Sequence, residues 1–257
     1  MTGSICTYSF IPVRKDPFES AELETQIVFG ESFHVVEETE KWARVICDFD
    51  GYAGWIDKKL IISISDAEYT YWKNTPGWIV PAPFIKVMLE NETAHQIIPA
   101  GSKIVFNSNM QNAFTIGNRE YILSGYSKPA KPFGLKVNAL AFKFAPYLWG
   151  GRTFFGIDCS GFTQSVFKIH GINLPRNASE QVNLGNTIEF VEEADLGDLA
   201  FFDNHDGHII HVGICLGRGE IIHASGEVRL DRLDHQGIYN VNTNKYSHKL
   251  RVIKRVL

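Results

Sequence analysis

Residues 156–162 are Gly-Ile-Asp-Cys-Ser-Gly-Phe, and Cys159 lies at their centre between small polar residues. Apolar residues follow at helical spacing up to Gly171, a typical C-terminal stop, so the pattern predicts a helix over 158–170. A thiol at a helix N-terminus lies at the positive end of the helix dipole, which favours the thiolate and can hold an oxyanion. The segment therefore predicts a cysteine nucleophile mounted on a helix.

A cysteine nucleophile needs a base and a group that orients this base. Two of the nine histidines, His211 and His223, are the candidates for these roles. His211 opens an alternating segment and His223 closes the next one, with residues 217–219 between them. A three-residue loop would place His223 opposite Gly213 and diagonal to His211 on the same face, whereas an even loop would separate the faces. We expect Cys159 to attack a carbonyl carbon, His211 to act as base and then acid, and His223 to hold the tautomer of His211.

Composition limits the possible partners and compartments. Lys+Arg 25 against Asp+Glu 29 gives a net charge of −4, which argues against nucleic acid or an anionic membrane as the main partner. The N-terminus lacks the features of a secretory signal, no apolar run is long enough for a membrane span, and the four cysteines are dispersed. We expect a cytoplasmic monomer with reduced thiols, exported only if a signal peptide was removed.

The pattern of apolar and turn-forming residues changes along the chain and predicts three folded regions. Residues 1–64 contain short, evenly spaced extended segments, which favour a small β-barrel. Residues 65–127 again contain short extended segments broken by prolines, and we interpret them as a second, divergent barrel. Residues 128–133 form a plausible linker, and residues 134–257 begin with helices and continue with strands, which predicts an α+β domain.

Five sequence blocks in the last region occur in the order of a known peptidase family. The blocks are PYLWGG at 146–151, GIDCSGF at 156–162, GDLAFF at 197–202, HVGI at 211–214 and IHASG at 222–226. Together they resemble the NlpC/P60 cysteine peptidases. The resemblance implies a papain-like core with a Cys-His-His triad at Cys159, His211 and His223, and no metal or other cofactor. It also implies that Tyr147 lies by the nucleophile and helps to stabilise the oxyanion, and that Trp149 walls the substrate cleft.

The N-terminal region resembles bacterial SH3 (SH3b) domains. Its segments WARVIC at 42–47 and GYAGWI at 51–56 match an SH3b strand and hairpin, and TQIVFGE at 25–31 resembles the opening of such domains in one enzyme subgroup. That subgroup comprises γ-D-glutamyl-L-diamino-acid endopeptidases of the dipeptidyl-peptidase VI type. The resemblance implies cleavage of murein peptides after L-Ala-γ-D-Glu, before meso-diaminopimelate or Lys, during cell-wall recycling. It also implies that a first SH3b domain caps the cleft and that the substrate needs a free N-terminal L-Ala.

The same resemblance suggests residues that bind the substrate. The candidates for its free amine and peptide are Trp149, Tyr52, Glu22, Asp158, Ser160, Asn177 and Ser179. Physically, carboxylates around an ammonium group would bind the peptide N-terminus and so fix its distance from the cleaved bond. Asn177 departs from the subgroup, which usually has Asp there, so the charge at that contact is lost.

Other interpretations remain open. The chain is an inert cell-wall-binding protein if the SH3b modules only target murein, or an amidase or acyltransferase on the same core. Tyr52 and Trp149 could simply pack, Glu22 could be a solvated carboxylate, and Cys215 is expected to be structural. The polar run at 203–208 could hold a metal, but a polar surface loop explains it better.

Overall fold

The computed structural model describes most of the chain. The described ranges are residues 3–81, 83–90, 92–107, 112–125 and 133–256. The chain divides into two compact units, which comprise residues 1–132 with 150–154 and residues 133–149 with 155–257. Of the predicted linker 128–133, only Phe133 lies within the described residues. None of the helices in the described part of the chain has the length and apolar composition to span a bilayer.

A six-stranded antiparallel barrel opens the first unit, with neighbours in the order β1-β4-β5-β6-β2-β3. Its strands are β1 (Gly3–Ile5), β2 (Phe10–Arg14), β3 (Leu23–Val28), β4 (Ser32–Glu38), β5 (Trp42–Cys47) and β6 (Ala53–Asp57). Alternating apolar side chains such as Ala43, Val45 and Cys47 point into one core, because successive side chains of a strand face opposite ways. The small barrel predicted for this part of the chain is confirmed.

The region after the barrel contains a helix that the sequence pattern did not predict. Helix α1 (Asp66–Asn74) begins after Ser65, whose side chain accepts a hydrogen bond from the Glu68 N–H at 3.2 Å. Ser65 and Glu68 have the spacing of a capping box. Only Trp72 is buried in this helix, so it lacks the apolar stripe that would identify it from sequence.

Strands account for the other regular elements of this region. They are β7 (Trp78–Ile79), β8 (Phe84–Leu89), β9 (His95–Pro99), β10 (Lys103–Ile104), β11 (Ala113–Ile116) and β12 (Arg119–Ser124). Four form an antiparallel sheet in the order β11-β12-β8-β9, and β10 pairs with β7. Their apolar side chains pack around Trp72 in a second core.

A short segment at residues 150–154 groups with the first unit, although the sequence pattern assigned it to the catalytic region. It contains β13 (Arg152–Thr153), and the buried Arg152 guanidinium makes two bonds with Glu31, at 2.9 and 2.8 Å. Arg152 also donates to the Gln26 carbonyl at 2.6 Å. These charge-assisted contacts explain why the segment lies with the barrel's residues.

The second unit has helices first and antiparallel strands afterwards, the α+β arrangement that was predicted. The helices are α2 (Leu135–Leu140), α3 (Cys159–Ile169) and α4 (Ala178–Gln181). The strands are β14 (Gly156–Ile157), β15 (Asn186–Ile188), β16 (Leu199–Asp203), β17 (Ile209–Gly217), β18 (Glu220–Ser225), β19 (Glu227–Asp234), β20 (Gly237–Asn240) and β21 (Lys245–Arg255). The main sheet has the order β15-β21-β16-β17-β18-β19-β20, and α3 packs on β17 and β18.

Candidate active site

Cys159 is the first residue of α3, in agreement with the predicted helix. Asp158 is the N-cap, and its Oδ1 accepts a hydrogen bond from the Gly161 N–H at 2.7 Å. This cap satisfies one of the N–H groups that every helix start leaves unpaired. The side chain of Cys159 is therefore held at a fixed point at the start of the helix, with only 7% of the residue exposed.

The thiol is not in the state that the helix dipole alone suggests. Burial, and after it the charge of Asp158, raises the pKa of Cys159 to about 12. Hydrogen bonds from the backbone N–H groups of Val212 and Ser160 lower this pKa by less, as does Arg176. The helix terminus favours the thiolate, but desolvation outweighs it, so the thiol stays protonated near pH 7. A protonated thiol makes a neighbouring base necessary.

A candidate base lies on β17, the strand that packs against the helix of Cys159. The Val212 N–H that hydrogen-bonds the Cys159 sulfur belongs to the residue directly after His211. The Nε2 atom of His211 lies 2.9 Å from Nδ1 of His223 on β18. The structure therefore brings the two predicted histidines into contact, on strands that pack against the helix of the predicted cysteine.

The loop between β17 and β18 differs from the prediction. A three-residue loop at 217–219 would pair Leu216 with Glu220, whereas the structure pairs Gly217 with Glu220. The turn consists of residues 218–219 alone, with φ of 54° and 71°. Two central residues with positive φ are typical of the type I′ turn, whose twist matches that of the flanking strands. The predicted loop length was therefore wrong by one residue.

A β-bulge at Leu216 compensates for this shorter turn. It adds one residue to β17, so His223 still lies opposite Gly213 and diagonal to His211, as predicted. A Cβ atom at Gly213 would lie 2.9 Å from the Cβ of His223, closer than real Cβ contacts come. The absence of a side chain at Gly213 thus leaves room for the histidine pair.

Asp231 and Arg229 on β19 extend this pair, and sequence reasoning did not identify either. Asp231 Oδ2 lies 3.1 Å from Nε2 of His223, and the carboxylate accepts two bonds from the Arg229 guanidinium, at 2.7 and 3.0 Å. A signal existed, because Gly226 marks a second tight turn. The register pairs His223 with Arg229, which places Asp231 diagonal to His223 on the same face.

His248 on β21 completes the histidine cluster and was also missed, because the predicted strand began only at Leu250. Its ring stacks on His211 with the centroids 4.1 Å apart and the planes 20° apart. Ring nitrogens of His211, His223 and His248 lie within 4.8 Å of one another, which raises the question of a metal ion. The lone pair of an imidazole nitrogen lies in the ring plane. Two nearly parallel rings do not direct their lone pairs at one point, so the geometry fits a stack better than a chelate.

The three imidazoles are neutral near pH 7. Burial is the largest cause that lowers the pKa of His211 well below its usual 6.5, and His223 and His248 add to the effect. Burial also lowers the pKa of His223, although Asp231 opposes it, and lowers that of His248 to about 4. A neutral imidazole can accept a proton, so His211 suits the role of a base.

Asp158 and Ser160 are engaged in a buried network behind the nucleophile. The Arg176 guanidinium donates to both carboxylate oxygens of Asp158, at 3.0 and 2.5 Å, and to the Ser160 hydroxyl at 3.0 Å. The side chain of Arg176 is 2% exposed and that of Asp158 8%. The charge that was expected to meet a substrate ammonium group is thus already compensated inside the protein.

The remaining predicted residues of the second unit lie at its surface or close to the nucleophile. Burial and the charges of Cys159 and Asp158 raise the pKa of Tyr147, which keeps its hydroxyl protonated. Trp149 is 61% exposed. Asn177 is the N-cap of α4, with its N–H 3.3 Å from Glu180, and Ser179 is exposed on the same short helix.

In the first unit, the structure shows which acid lies beside Tyr52. The Tyr52 hydroxyl donates to Glu24 Oε2 at 2.5 Å. Glu22 is exposed, and its carboxylate lies 3.5 Å from Lys15. The carboxylate beside Tyr52 is therefore that of Glu24, two residues further along the same barrel.

A helix-borne thiol beside a buried histidine pair, on an α+β scaffold, defines a cysteine hydrolase. Comparisons with known proteins agree. The NlpC/P60 family profile matches residues 144–250, and the profile of the bacterial dipeptidyl-peptidase SH3 domain matches residues 13–61. The chain is a cysteine peptidase that carries an NlpC/P60 domain and a bacterial dipeptidyl-peptidase SH3 domain.

Individual relatives cover most of the chain. A γ-D-glutamyl-L-lysine dipeptidyl-peptidase of Bacillus cereus is 28% identical over 227 residues, which is 79% of this chain and 67% of that protein. A dipeptidyl-peptidase 6 of Lysinibacillus sphaericus is 24% identical over 248 residues, which is 86% of this chain and 88% of that protein. The crystal structure of an NlpC/P60 family protein from Bacillus cereus has a TM-score of 0.82 at 21% identity and covers 99% of both chains. It shares the fold over the whole length.

Proposed function

We propose that the chain hydrolyses the bond between γ-D-glutamate and a diamino acid, meso-diaminopimelate or Lys, in murein peptides that begin with a free L-Ala. The names of the two relatives support the γ-D-glutamyl linkage and release of a dipeptide. The single observation that carries the chemistry is the 2.9 Å contact between His211 and His223, on strands that pack against the helix of Cys159.

In the acylation step, His211 takes the proton of the Cys159 thiol as the sulfur bonds to the γ-carbonyl carbon of glutamate. The carbonyl π electrons move onto oxygen. When this oxyanion collapses, the C–N bond breaks and protonated His211 gives its proton to the leaving amine of the diamino acid. Water then attacks the thioester with His211 again as base, and Cys159 is regenerated as a thiol.

The oxyanion needs donors that are fixed before the reaction starts. The N–H groups of the first turn of α3 and the hydroxyl of Tyr147 supply them in this proposal. A raised pKa keeps Tyr147 protonated, so it can donate throughout the working pH range. The buried N-cap at Asp158 fixes the first turn of the helix.

The free N-terminus is the part of the proposal that involves the SH3 domain. We infer that this domain limits the substrate to two residues before the cut, and that Tyr52 and Glu24 receive the ammonium group. Their 2.5 Å contact provides a carboxylate and a hydroxyl at one place, which suits a cation. Asp158, Ser160, Trp149, Asn177 and Ser179 remain candidates for the rest of the peptide.

Two further inferences concern organisation and compartment. We infer that residues 65–127 form a second, divergent SH3-like domain around the four-stranded sheet, with α1 as an addition. We also infer a role in recycling murein peptides in the cytoplasm. All four cysteines are buried and unpaired with each other, which suits a reducing compartment.

The test is release of L-Ala-D-Glu from L-Ala-γ-D-Glu-L-Lys and from the meso-diaminopimelate peptide, followed by mass spectrometry. Cys159→Ala should lose activity by at least ~10³-fold, because no other thiol lies beside His211 in the proposed mechanism. Cys215→Ala, a buried cysteine on β17, is the matched control and should stay active. Turnover by folded Cys159→Ala would refute the nucleophile assignment. In the same assay, N-acetylated substrate should be cleaved at least ~10²-fold more slowly, and equal rates would remove the free-amine requirement.

A further inference from the structure

The carboxylate of Asp231 lies at the end of a buried chain of contacts that runs through both histidines. Its side chain is fully buried, and each of its oxygens receives two donors. Oδ2 lies 3.1 Å from His223 Nε2 and 2.7 Å from Arg229 Nε. Oδ1 accepts from a second Arg229 nitrogen at 3.0 Å and from the Val241 N–H at 3.0 Å.

These donors decide the charge of Asp231. Burial alone would raise its pKa, but the hydrogen bonds from His223, Arg229 and Val241 lower it to about 2. An ionised carboxylate can only accept hydrogen bonds. The proton in the contact between Asp231 and His223 must therefore reside on Nε2 of His223.

The position of that proton fixes the next one. Neutral His223 with a proton on Nε2 has a bare Nδ1, which can only accept. The 2.9 Å contact with His211 is then a hydrogen bond that His211 Nε2–H donates. Neutral His211 is left with a bare Nδ1.

We propose that Asp231 is a positioning residue that sets the tautomers of both imidazoles, so that His211 presents an unprotonated Nδ1 to its surroundings. In the proposed function this nitrogen is the base for Cys159, and that part of the inference rests on the proposed function. The tautomers themselves do not depend on it. When His211 becomes an imidazolium, its Nε2–H still donates to His223, and the negative charge of Asp231 stabilises the cation through the intervening ring.

Asp231→Asn separates this role from simple packing, because it keeps the shape and removes the charge. Wherever the amide NH2 lies, it meets donors. At the Oδ1 position it meets Arg229 and the Val241 N–H, which cannot change. At the Oδ2 position it meets only one fixed donor, Arg229 Nε, and His223 Nε2, which can become an acceptor by moving its proton to Nδ1. The second arrangement should prevail, and His211 is then driven to carry its proton on Nδ1.

The direct readout is the ¹⁵N chemical shifts of the histidine rings in the labelled full-length protein. Wild type should have Nε2–H tautomers at His211 and His223, and Asp231→Asn should have Nδ1–H tautomers at both. Asp234→Asn, on the same strand with contacts to Gln236 and Tyr246, is the matched control and should leave both tautomers unchanged. Nδ1–H tautomers in wild type, or unchanged tautomers in Asp231→Asn, would overturn the inference. The wild-type measurement decides even if the variant does not fold.

Kinetics add a second readout. Asp231→Asn should lower kcat by about 10²–10⁴-fold with little change in KM, as a wrong tautomer does in other triads, because Asp231 does not reach the substrate. Unchanged kcat in folded Asp231→Asn would also overturn the inference. A wild-type protein that cleaves no murein peptide would refute the proposed function, while the ring shifts would still decide the tautomers.

Discussion

Two aspartates flank the reactive centre, and each is held by an arginine. Asp158 precedes the thiol on the helical side and is bound by Arg176, while Asp231 lies behind the histidines on the sheet side and is bound by Arg229. In both pairs, the arginine donates to both carboxylate oxygens. The two pairs nevertheless have opposite effects on their neighbours.

The difference lies in what each carboxylate faces. Asp158 faces a thiol that would become negative, so its charge raises the pKa of Cys159. Asp231 faces an imidazole, and its charge favours the protonated form of His223 against burial. One carboxylate thus opposes negative charge on the nucleophile, and the other supports positive charge on His223. This combination favours transfer of the Cys159 proton to His211 during the reaction over a thiolate–imidazolium pair in the resting enzyme.

The two pairs also differ in burial, which gives the largest expected effect. Arg176→Met removes the buried cation that compensates the charge of Asp158, and should cost ~3–5 kcal/mol of unfolding free energy. Arg229→Met should cost less, about 1.5–3 kcal/mol, because Arg229 is 15% exposed and Asp231 keeps His223 and Val241 as donors. Urea unfolding at pH 7 measures both.

The matched control is Arg251→Met. Arg251 is 64% exposed, and its nitrogen is 3.7 Å from Asp203, so the loss should stay within about 0.5 kcal/mol. Equal losses for Arg176→Met and Arg229→Met would mean that the two pairs are energetically equivalent. The two pairs would then differ only in their effects on the pKa values of Cys159 and His223.

The second prediction concerns the reactivity of the thiol. Asp158→Asn removes the charge that raises the pKa of Cys159, while the amide oxygen can still cap α3. Alkylation of Cys159 by iodoacetamide at pH 7 should become faster, on the order of tenfold if the pKa falls by one unit. Asp231→Asn should not accelerate it, because Asp231 does not face the sulfur. A folded Asp158→Asn protein that is alkylated at the wild-type rate would contradict the electrostatic role of Asp158.

Sequence reasoning identified the active-site residues that lie on one continuous segment of the chain. Asp158, Cys159 and the start of α3 are neighbours in the chain, so their motif and the helix period locate them together. The histidine pair was found by strand parity, and its relative position was right although the loop was one residue too long. The bulge at Leu216 made up the difference, and no residue pattern announces a bulge of this kind.

The residues that sequence reasoning missed depend on tertiary register. Asp231 requires the register of one more hairpin, which Gly226 would have allowed. His248 and Arg176 reach the centre from segments that no local period connects to it. The raised pKa of Cys159 could not be predicted from the sequence for the same reason. A helix terminus is visible in sequence, but the burial that outweighs it comes from packing of the whole unit.

The smallest effect is expected for substitution of His248. It tests whether burial controls the pKa of His211, as the charge of Asp158 influences the pKa of Cys159. Among the described residues, the groups in contact with the His211 ring include Phe202, His248 and His223, and Asp231 is the partner of His223. In the proposed mechanism the ring also meets Cys159. His211 must be neutral to act as base, and burial holds its pKa well below 6.5. For the wild type, kcat/KM should therefore stay level as the pH falls through 6.5 and decline only near the lowered pKa of His211.

His248→Ala exposes one face of the His211 ring, so the pKa of His211 should rise and the acid limb of the pH profile should move up towards pH 6.5. At pH 5.5 this should cost the variant a few-fold in kcat/KM relative to wild type. His248→Phe keeps a stacked ring and should keep the wild-type limb, whereas an unmoved limb in His248→Ala would mean that the stack does not control the base.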